Sequence, residues 1–132
     1  GSGEANIVAT LTNGRLAVMT PWAQVLGYDE AVKNMARYVR SLSGLEEADE
    51  AVQGMQQQFT MYCAACHTPA GTGNPVLGAP NLTDDVWLYG SSLDTVRETL
   101  IKGRNGQMPA HGEMLGMNRT KILAAYVQSL SQ

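Results

Sequence analysis

The sequence predicts an all-α domain in which a few helices are joined by long loops. Apolar residues recur at helical spacing in four stretches, which are residues 29–42, 47–62, 93–101 and 118–130. The segments 68–80 and 103–116 between them are rich in glycine or proline, which favours loops. No stretch alternates apolar and polar residues well enough to predict a convincing strand.

The first of these helices runs from about Asp29 to Leu42 and has one apolar side. That side is a stripe formed by Val32, Met35, Ala36, Val39 and Leu42. Because an exposed stripe of this kind promotes association, we expect it to be buried. It would pack either on the rest of the chain or on a second copy of it.

The other three helices have recognisable ends. The second covers about residues 47–62 and leads into the only two cysteines. Ser91 and Ser92 are good N-caps for the third helix, and Gly103 is expected to end it. Asn118 is expected to cap the last helix.

Composition narrows the functional class. A hydrophobic fraction of 44% in 132 residues supports a packed core, and 16% charged residues are too few to suggest disorder. The net charge of -3 argues against nucleic-acid binding. No apolar run reaches the length of about 18 residues needed to span a bilayer. The opening residues 1–3, Gly-Ser-Gly, resemble an expression scar.

Both cysteines lie in the pentapeptide 63–67, where Cys63 and Cys66 are followed by His67. Two thioether bonds at this spacing reach both vinyl groups of one porphyrin, and the next histidine can ligate its iron. A redox dithiol shares the spacing but normally lies in an α/β pattern, which is not seen here. A zinc site needs about four ligands, and only His111 remains among Cys and His. We favour one covalent haem c over these two alternatives.

The order of parts in the sequence resembles a class I cytochrome c. Helix, Cys-x-x-Cys-His, glycine-rich loop, helix, Met-Pro loop and final helix follow one another. More specific matches are GAPNLTD at 78–84, WLYG at 87–90, GRNGQMP at 103–109 and LAAYVQSLS at 123–131. Together they resemble the C-terminal haem domain of the dihaem cytochrome c subunit, CcoP or FixP, of cbb-type haem–copper cytochrome c oxidases. The resemblance covers about residue 47 to the C-terminus and implies helices wrapped around one covalent haem.

The resemblance also implies the two axial ligands of the haem iron. His67 would be the proximal ligand. Met108, in a loop ahead of Pro109, matches the methionine that ligates iron in this family. A thioether stabilises ferrous iron and raises the potential, whereas an imidazole would lower it. The sequence has seven methionines, and any one of them is more often a packing residue than a ligand. The main alternative to Met108 as the distal ligand is His111.

Four further residues take positions near the haem by resemblance. The carbonyl of Pro80 would accept the Nδ1–H of the proximal histidine. Leu82 would pack on the proximal haem face, where it would also be a core residue. Trp87 and Arg104 would face a haem propionate, although a buried structural Trp and a loop-stabilising Arg are comparable interpretations.

The first 44 residues repeat the second half of the haem domain, with a shift of about 89 that falls to 88 near the end. The aligned pairs include Gly14-Arg15 with Gly103-Arg104, Met19 with Met108, and Tyr38-Val39 with Tyr126-Val127. This segment has a methionine loop and a final helix but no Cys-x-x-Cys-His. We therefore expect residues 4–44 to be the C-terminal remnant of a preceding cytochrome c domain and residues 45–132 to be a cytochrome c domain.

The implied activity is outer-sphere transfer of single electrons, with no catalytic residues. The domain would receive electrons from a donor cytochrome and relay them to the core subunits of a cbb-type oxidase. The native subunit would be membrane-anchored at the periplasmic face of the bacterial inner membrane, and the given chain would be soluble. A stand-alone monohaem carrier and a haem-based redox or gas sensor are alternatives. A peroxidase would need His111 and Glu113 above an open iron.

Overall fold

A computed structural model describes residues 3–130, and the fold is mostly helical. Residues 1–2 of the predicted scar and 131–132 at the end of the repeat lie outside this part. The described elements are α1 Glu4–Asn13, β1 Arg15–Met19, α2 Ala23–Leu26, α3 Asp29–Leu42, α4 Glu50–Gln53, α5 Gln56–Tyr62, α6 Ala64–His67, α7 Leu93–Lys102, β2 Arg104–Met108, α8 Gly112–Leu115 and α9 Met117–Ser129. None of these helices is long and apolar enough to cross a membrane.

The strongest helix predictions are confirmed and two details are corrected. Helix α3 has the predicted bounds, and α7 begins after Ser92, whose hydroxyl accepts the amide of Thr95 at 3.1 Å. The predicted helix over residues 47–62 is instead divided into α4 and α5. Asn118 is not a cap, because α9 already begins at Met117 and Gly116 holds the cap position.

The expectation of no strand is wrong, because β1 and β2 form a two-stranded sheet. Each strand has only five residues, and β2 reads Arg-Asn-Gly-Gln-Met, which has no apolar alternation. Backbone hydrogen bonds rather than side-chain pattern define such a short pair. A sequence signal based on alternation therefore does not detect it.

The chain divides into two compact units. We call residues 18–104 the cysteine unit, and residues 3–17 together with 105–130 the terminal unit. Each unit contains residues from both sides of the predicted boundary between 44 and 45. The interpretation of residues 4–44 and 45–132 as parts of two cytochrome c domains stays a prediction.

The core of the cysteine unit is built around the stripe of α3. Val32, Met35, Ala36 and Val39 are buried, as predicted. The same apolar cluster contains residues of α7 and of the segment that leads into the pentapeptide; these are Met55, Phe59, Cys63, Val96 and Leu100. The stripe is therefore covered within one chain, and a second copy is not needed to bury it.

Ion pairs fasten α3 to the segment that follows it. Arg37 contacts Glu46 at 3.1 Å and Asp49 at 2.6 Å, while Arg40 contacts Glu46 at 3.2 Å. Asp49 is also the N-cap of α4, since its carboxylate accepts the amide of Val52 at 3.0 Å. One carboxylate thus joins the start of α4 to α3.

We expect this carboxylate to make stability depend on pH. The hydrogen bond from Arg37 and the capped amide of Val52 hold the pKa of Asp49 below its usual value. A depressed folded-state pKa contributes stability above the unfolded pKa of about 4, and this contribution is lost as pH falls through the folded pKa. Asp49→Asn retains a good N-cap. It should therefore be less stable than wild type at pH 7 in urea unfolding, with a gap that narrows toward pH 3.

Asp85→Asn is the matched control, because Asp85 is exposed and makes none of these ion pairs. It should leave the pH profile almost unchanged. A stability gap for Asp49→Asn that is the same at pH 7 and pH 3 would contradict the assignment.

The terminal unit packs α1 against α8 and α9. Leu11 of α1 is buried, as are Thr120 and Ala124 of α9. The carbonyl of Leu11 also accepts the amide of His111 at 2.7 Å. The two ends of the chain, far apart in sequence, thus share one small core.

The elements recur at the spacing that the repeat predicts. Helix α1, strand β1 and helix α2 begin at residues 4, 15 and 23, and α7, β2 and α8 begin 89 residues later, at 93, 104 and 112. Helices α3 and α9 begin at 29 and 117. The helices pair between the two copies of the repeat. Helix α7 of the second copy packs on α3 of the first, and α1 of the first copy packs on α9 of the second. In the cysteine unit, α3 therefore has the place in which sequence order would put α9.

Candidate functional site

One turn of helix carries the three residues of the predicted attachment motif. Cys63 follows α5 and begins α6, and its carbonyl accepts the amides of Cys66 at 3.2 Å and His67 at 2.9 Å. Residues three and four apart lie on the same face of a helix. The turn therefore presents two sulfurs and one imidazole on one side, with Cys63 and His67 buried and Cys66 exposed.

The loop after the motif fixes the ring of His67. Its Nδ1 lies 3.1 Å from the carbonyl oxygen of Pro80, the hydrogen bond that the resemblance predicts. Because a carbonyl only accepts, the proton is on Nδ1, and Nε2 is the ring nitrogen with a lone pair for a metal.

Close backbone packing holds that loop in place. The amide of Gly73 donates to the carbonyl of His67 at 2.8 Å. A Cβ on Gly73 would lie 2.6 Å from the carbonyl carbon of Pro80, and its φ is +85°. Only glycine allows this approach. The return of the loop to the imidazole thus depends on one residue without a side chain.

Burial sets the protonation of the motif. It lowers the pKa of His67, with the hydrogen bond to Pro80 opposing part of the shift. Metal ligation needs this neutral form of the imidazole. Burial, and then the charge of Cys66, raises the pKa of Cys63 to about 11. A redox dithiol works through a thiolate of lowered pKa, so this environment disfavours that alternative.

The zinc alternative finds no support in the geometry. Across residues 3–130, no group of three or more His, Cys, Asp or Glu side chains is arranged to hold a metal ion. Structural zinc needs four such ligands close together.

Polar donors suited to a carboxylate lie elsewhere in the cysteine unit. The indole Nε1 of Trp87 is buried and has no hydrogen-bond partner among the described residues. Arg104 donates from Nε to the hydroxyl of Thr99 at 2.9 Å, and its guanidinium lies 4.1 Å from the ring centre of Tyr89. Trp87 and Leu82 also pack against the apolar cluster. An orphaned buried donor of this kind is expected where a bound group supplies the acceptor.

The two candidates for the distal ligand lie in the terminal unit. Met108 ends β2 and is 36% exposed. The Nδ1 of His111 is buried without a hydrogen-bond partner among the described residues. The cysteine unit, in contrast, contains all the other predicted site residues, which are Cys63, Cys66, His67, Pro80, Leu82, Trp87 and Arg104.

Met19 is the residue that the internal repeat aligns with Met108. It is the last residue of β1, is half-buried and packs against the apolar cluster that contains Cys63.

Comparison with known proteins points to one family. The family described as cytochrome c oxidase, cbb3-type, subunit III matches residues 50–127. The chain is 40% identical over 132 residues to the cbb3-type cytochrome c oxidase subunit CcoP of Rubrivivax gelatinosus, covering 100% of the chain and 43% of that protein. It is 47% identical over 108 residues to the subunit FixP of Bradyrhizobium diazoefficiens, covering 80% and 37%.

The similarity covers only part of each relative. The chain spans about two fifths of the length of these relatives. The family match includes the pentapeptide, the loop with Pro80 and most of α9. With more than half of the chain matched, the chain belongs to the family of subunit III of cbb3-type cytochrome c oxidases.

Proposed function

We propose that this chain is an electron-transfer haem c domain that relays single electrons toward the oxygen-reducing centre of a cbb-type terminal oxidase. The observation that carries the proposal is the helical turn with Cys63, Cys66 and His67, whose imidazole is tied through Nδ1 to Pro80. Family membership and the names of the relatives support the same role.

The residues of the cysteine unit fit one haem c, which supplies a one-electron couple when bound. Cys63 and Cys66 would form the thioether bonds, and His67 would offer Nε2 as the proximal ligand. The Pro80 carbonyl restricts rotation of the imidazole, which keeps its position similar in both oxidation states. Trp87 and Arg104 offer N–H donors for the propionates, and Leu82 offers apolar surface.

The partners follow from the same proposal. They would be the core subunits of the oxidase and a donor cytochrome. The chain would be part of a membrane-anchored subunit and would contact them at the periplasmic face of the bacterial inner membrane. The chain would act as an electron carrier and not as an enzyme by itself. The predicted self-association through the N-terminal segment loses its main reason, because the stripe of α3 is buried within the chain.

We interpret residues 4–44 as a partial repeat of the haem domain at 45–132. The recurrence of helix, strand, short helix and long helix at 89- and 88-residue spacing supports this interpretation. Only the second copy carries the cysteines. We therefore propose one haem per chain.

A pyridine haemochrome spectrum combined with the mass of the intact protein tests the function. After production with a c-type haem attachment system, wild type should carry one haem that survives denaturation. The double variant Cys63→Ser/Cys66→Ser should carry no covalent haem, because both thioether bonds need sulfur. The control Met61→Leu changes an exposed residue of the adjacent helix and should retain the haem.

Two results would overturn the proposal. Wild-type protein with two unmodified thiols after such production would remove the cofactor, and zinc in place of iron would assign the motif to another class of site. A haem that remains covalently bound in the double variant would show that attachment uses other residues.

A further inference from the structure

The loop that follows the attachment turn contains a small hairpin whose base is bonded to His67. Asn74 and Ala79 exchange backbone hydrogen bonds of 2.9 and 3.0 Å, which close the hairpin. The residues just outside this pair, Gly73 and Pro80, are hydrogen-bonded to His67 at 2.8 and 3.1 Å. The hairpin therefore projects directly from the contacts that fix the imidazole.

Residues 75–78, which we call the hairpin tip, carry exposed apolar side chains on an ordered backbone. Val76 is 92% exposed, the largest exposed fraction of any large apolar side chain in the part of the chain that the structure describes. Its neighbour Leu77 is 51% exposed. The side-chain oxygen of Asn74 accepts the amides of both residues, at 3.0 and 3.4 Å. Because these bonds already order the backbone, a contact made by the hairpin tip costs little conformational entropy.

The sequence around the hairpin tip is free of charged side chains. Residues 68–83 contain no Asp, Glu, Lys or Arg, although the chain has 9 basic and 12 acidic residues. Proteins that meet transiently are commonly steered to each other by charges. Permanent interfaces between subunits are more hydrophobic. A protruding, uncharged hairpin tip therefore fits an apolar recess on a permanent partner better than the charged face of a transient one.

We propose that the hairpin tip anchors this chain in an apolar recess on a core subunit of the oxidase. This inference rests on the proposed function, since it takes the oxidase as the partner. Val76 would fill the recess as a central apolar anchor, and the rest of the interface would surround it. Since the base of the hairpin is bonded to His67, the core subunit would dock on the side of the haem that carries this ligand.

Two opposite charges at one position test the anchor in the haem-loaded chain. Binding to the core subunits of a cbb3-type oxidase, purified without their subunit III, is measured by biolayer interferometry. Val76→Asp and Val76→Lys should both weaken binding about tenfold or more, because either charge would be buried without a partner. The control Ile122→Asp changes a 70% exposed residue of α9 and should bind within about twofold of wild type. Raising the salt from about 0.05 to about 0.5 M should change wild-type affinity by less than about threefold.

The outcomes separate this inference from the proposed function. Wild-type affinity in both Val76 variants, or a loss in Val76→Asp alone, would overturn the apolar anchor, and so would an equal loss in Ile122→Asp. A wild-type affinity that falls about tenfold or more with salt would overturn it without any variant. Haem-loaded wild type that binds the core subunits but passes no electrons to them would overturn the proposed function and leave the anchor standing.

Discussion

Phe59→Ala is expected to lower the free energy of unfolding by about 3–5 kcal/mol. Phe59 is fully buried in α5, and its ring contacts Tyr38 of α3 at 5.2 Å between centroids. Removing the ring leaves a cavity where α3 meets the helix that precedes Cys63. Since small domains are stable by only about 5–15 kcal/mol, the variant should lose a large part of its stability. Urea unfolding followed by far-UV circular dichroism measures the change.

Met61→Ala is the matched control in the same helix. Met61 is 60% exposed, so its truncation should change stability by less than about 1 kcal/mol. Equal effects of the two variants would mean that Phe59 is not packed under α3. The comparison thus tests the packing of the N-terminal half of the chain on the attachment motif.

Gly103→Ala is expected to lower the free energy of unfolding by about 3–4 kcal/mol. Gly103 ends α7 with φ +72°, which an L-residue adopts only with strain. Its new Cβ would also lie 2.3 Å from the Met19 carbonyl and 3.1 Å from the amide nitrogen of Pro21. Because both neighbours are backbone atoms, relief requires that the segment after Met19 moves away from α7. Thermal and urea unfolding would both show the loss.

Gly44→Ala separates the cost of the positive φ from the cost of the steric contact. Gly44 has φ +80°, but a Cβ there would meet no atom within 4 Å. It should therefore show only the conformational part of the effect, about 1 kcal/mol. If both variants lost the same stability, the close approach of residues 103 and 19 would be refuted.

The sequence predicted local structure better than the pairing of distant elements. The bounds of α3 and the caps of α7 follow from an amphipathic stripe and from Ser92, which act within a few residues. The two strands were not predicted, because backbone hydrogen bonds and not an alternating side-chain pattern define them. The choice between α3 and α9 could not be made from pattern, since the repeat gives both helices the same Tyr-Val pair. Only the three-dimensional contacts distinguish them.

The candidate site shows the same difference between local structure and contacts of distant elements. The turn at residues 63–67 is local, so its spacing favoured a covalent haem over two alternatives, and the family resemblance predicted the contact between His67 and Pro80. The distal ligand is distant from the pentapeptide in sequence, so only the resemblance pointed to a residue for it. Met108 was predicted from the same resemblance, and it lies in the terminal unit.

The way the units divide the chain has a consequence for how the protein is made. Residues 18–104 form a continuous stretch, whereas the terminal unit needs residues 3–17 and 105–130 together. During synthesis, the first of these can fold before residues 105–130 are made, and the second must wait for α9. Residues 3–17 then lack the helix on which they pack until α9 has been made. Folding is therefore ordered in time, with the segment that bears the two cysteines structured first.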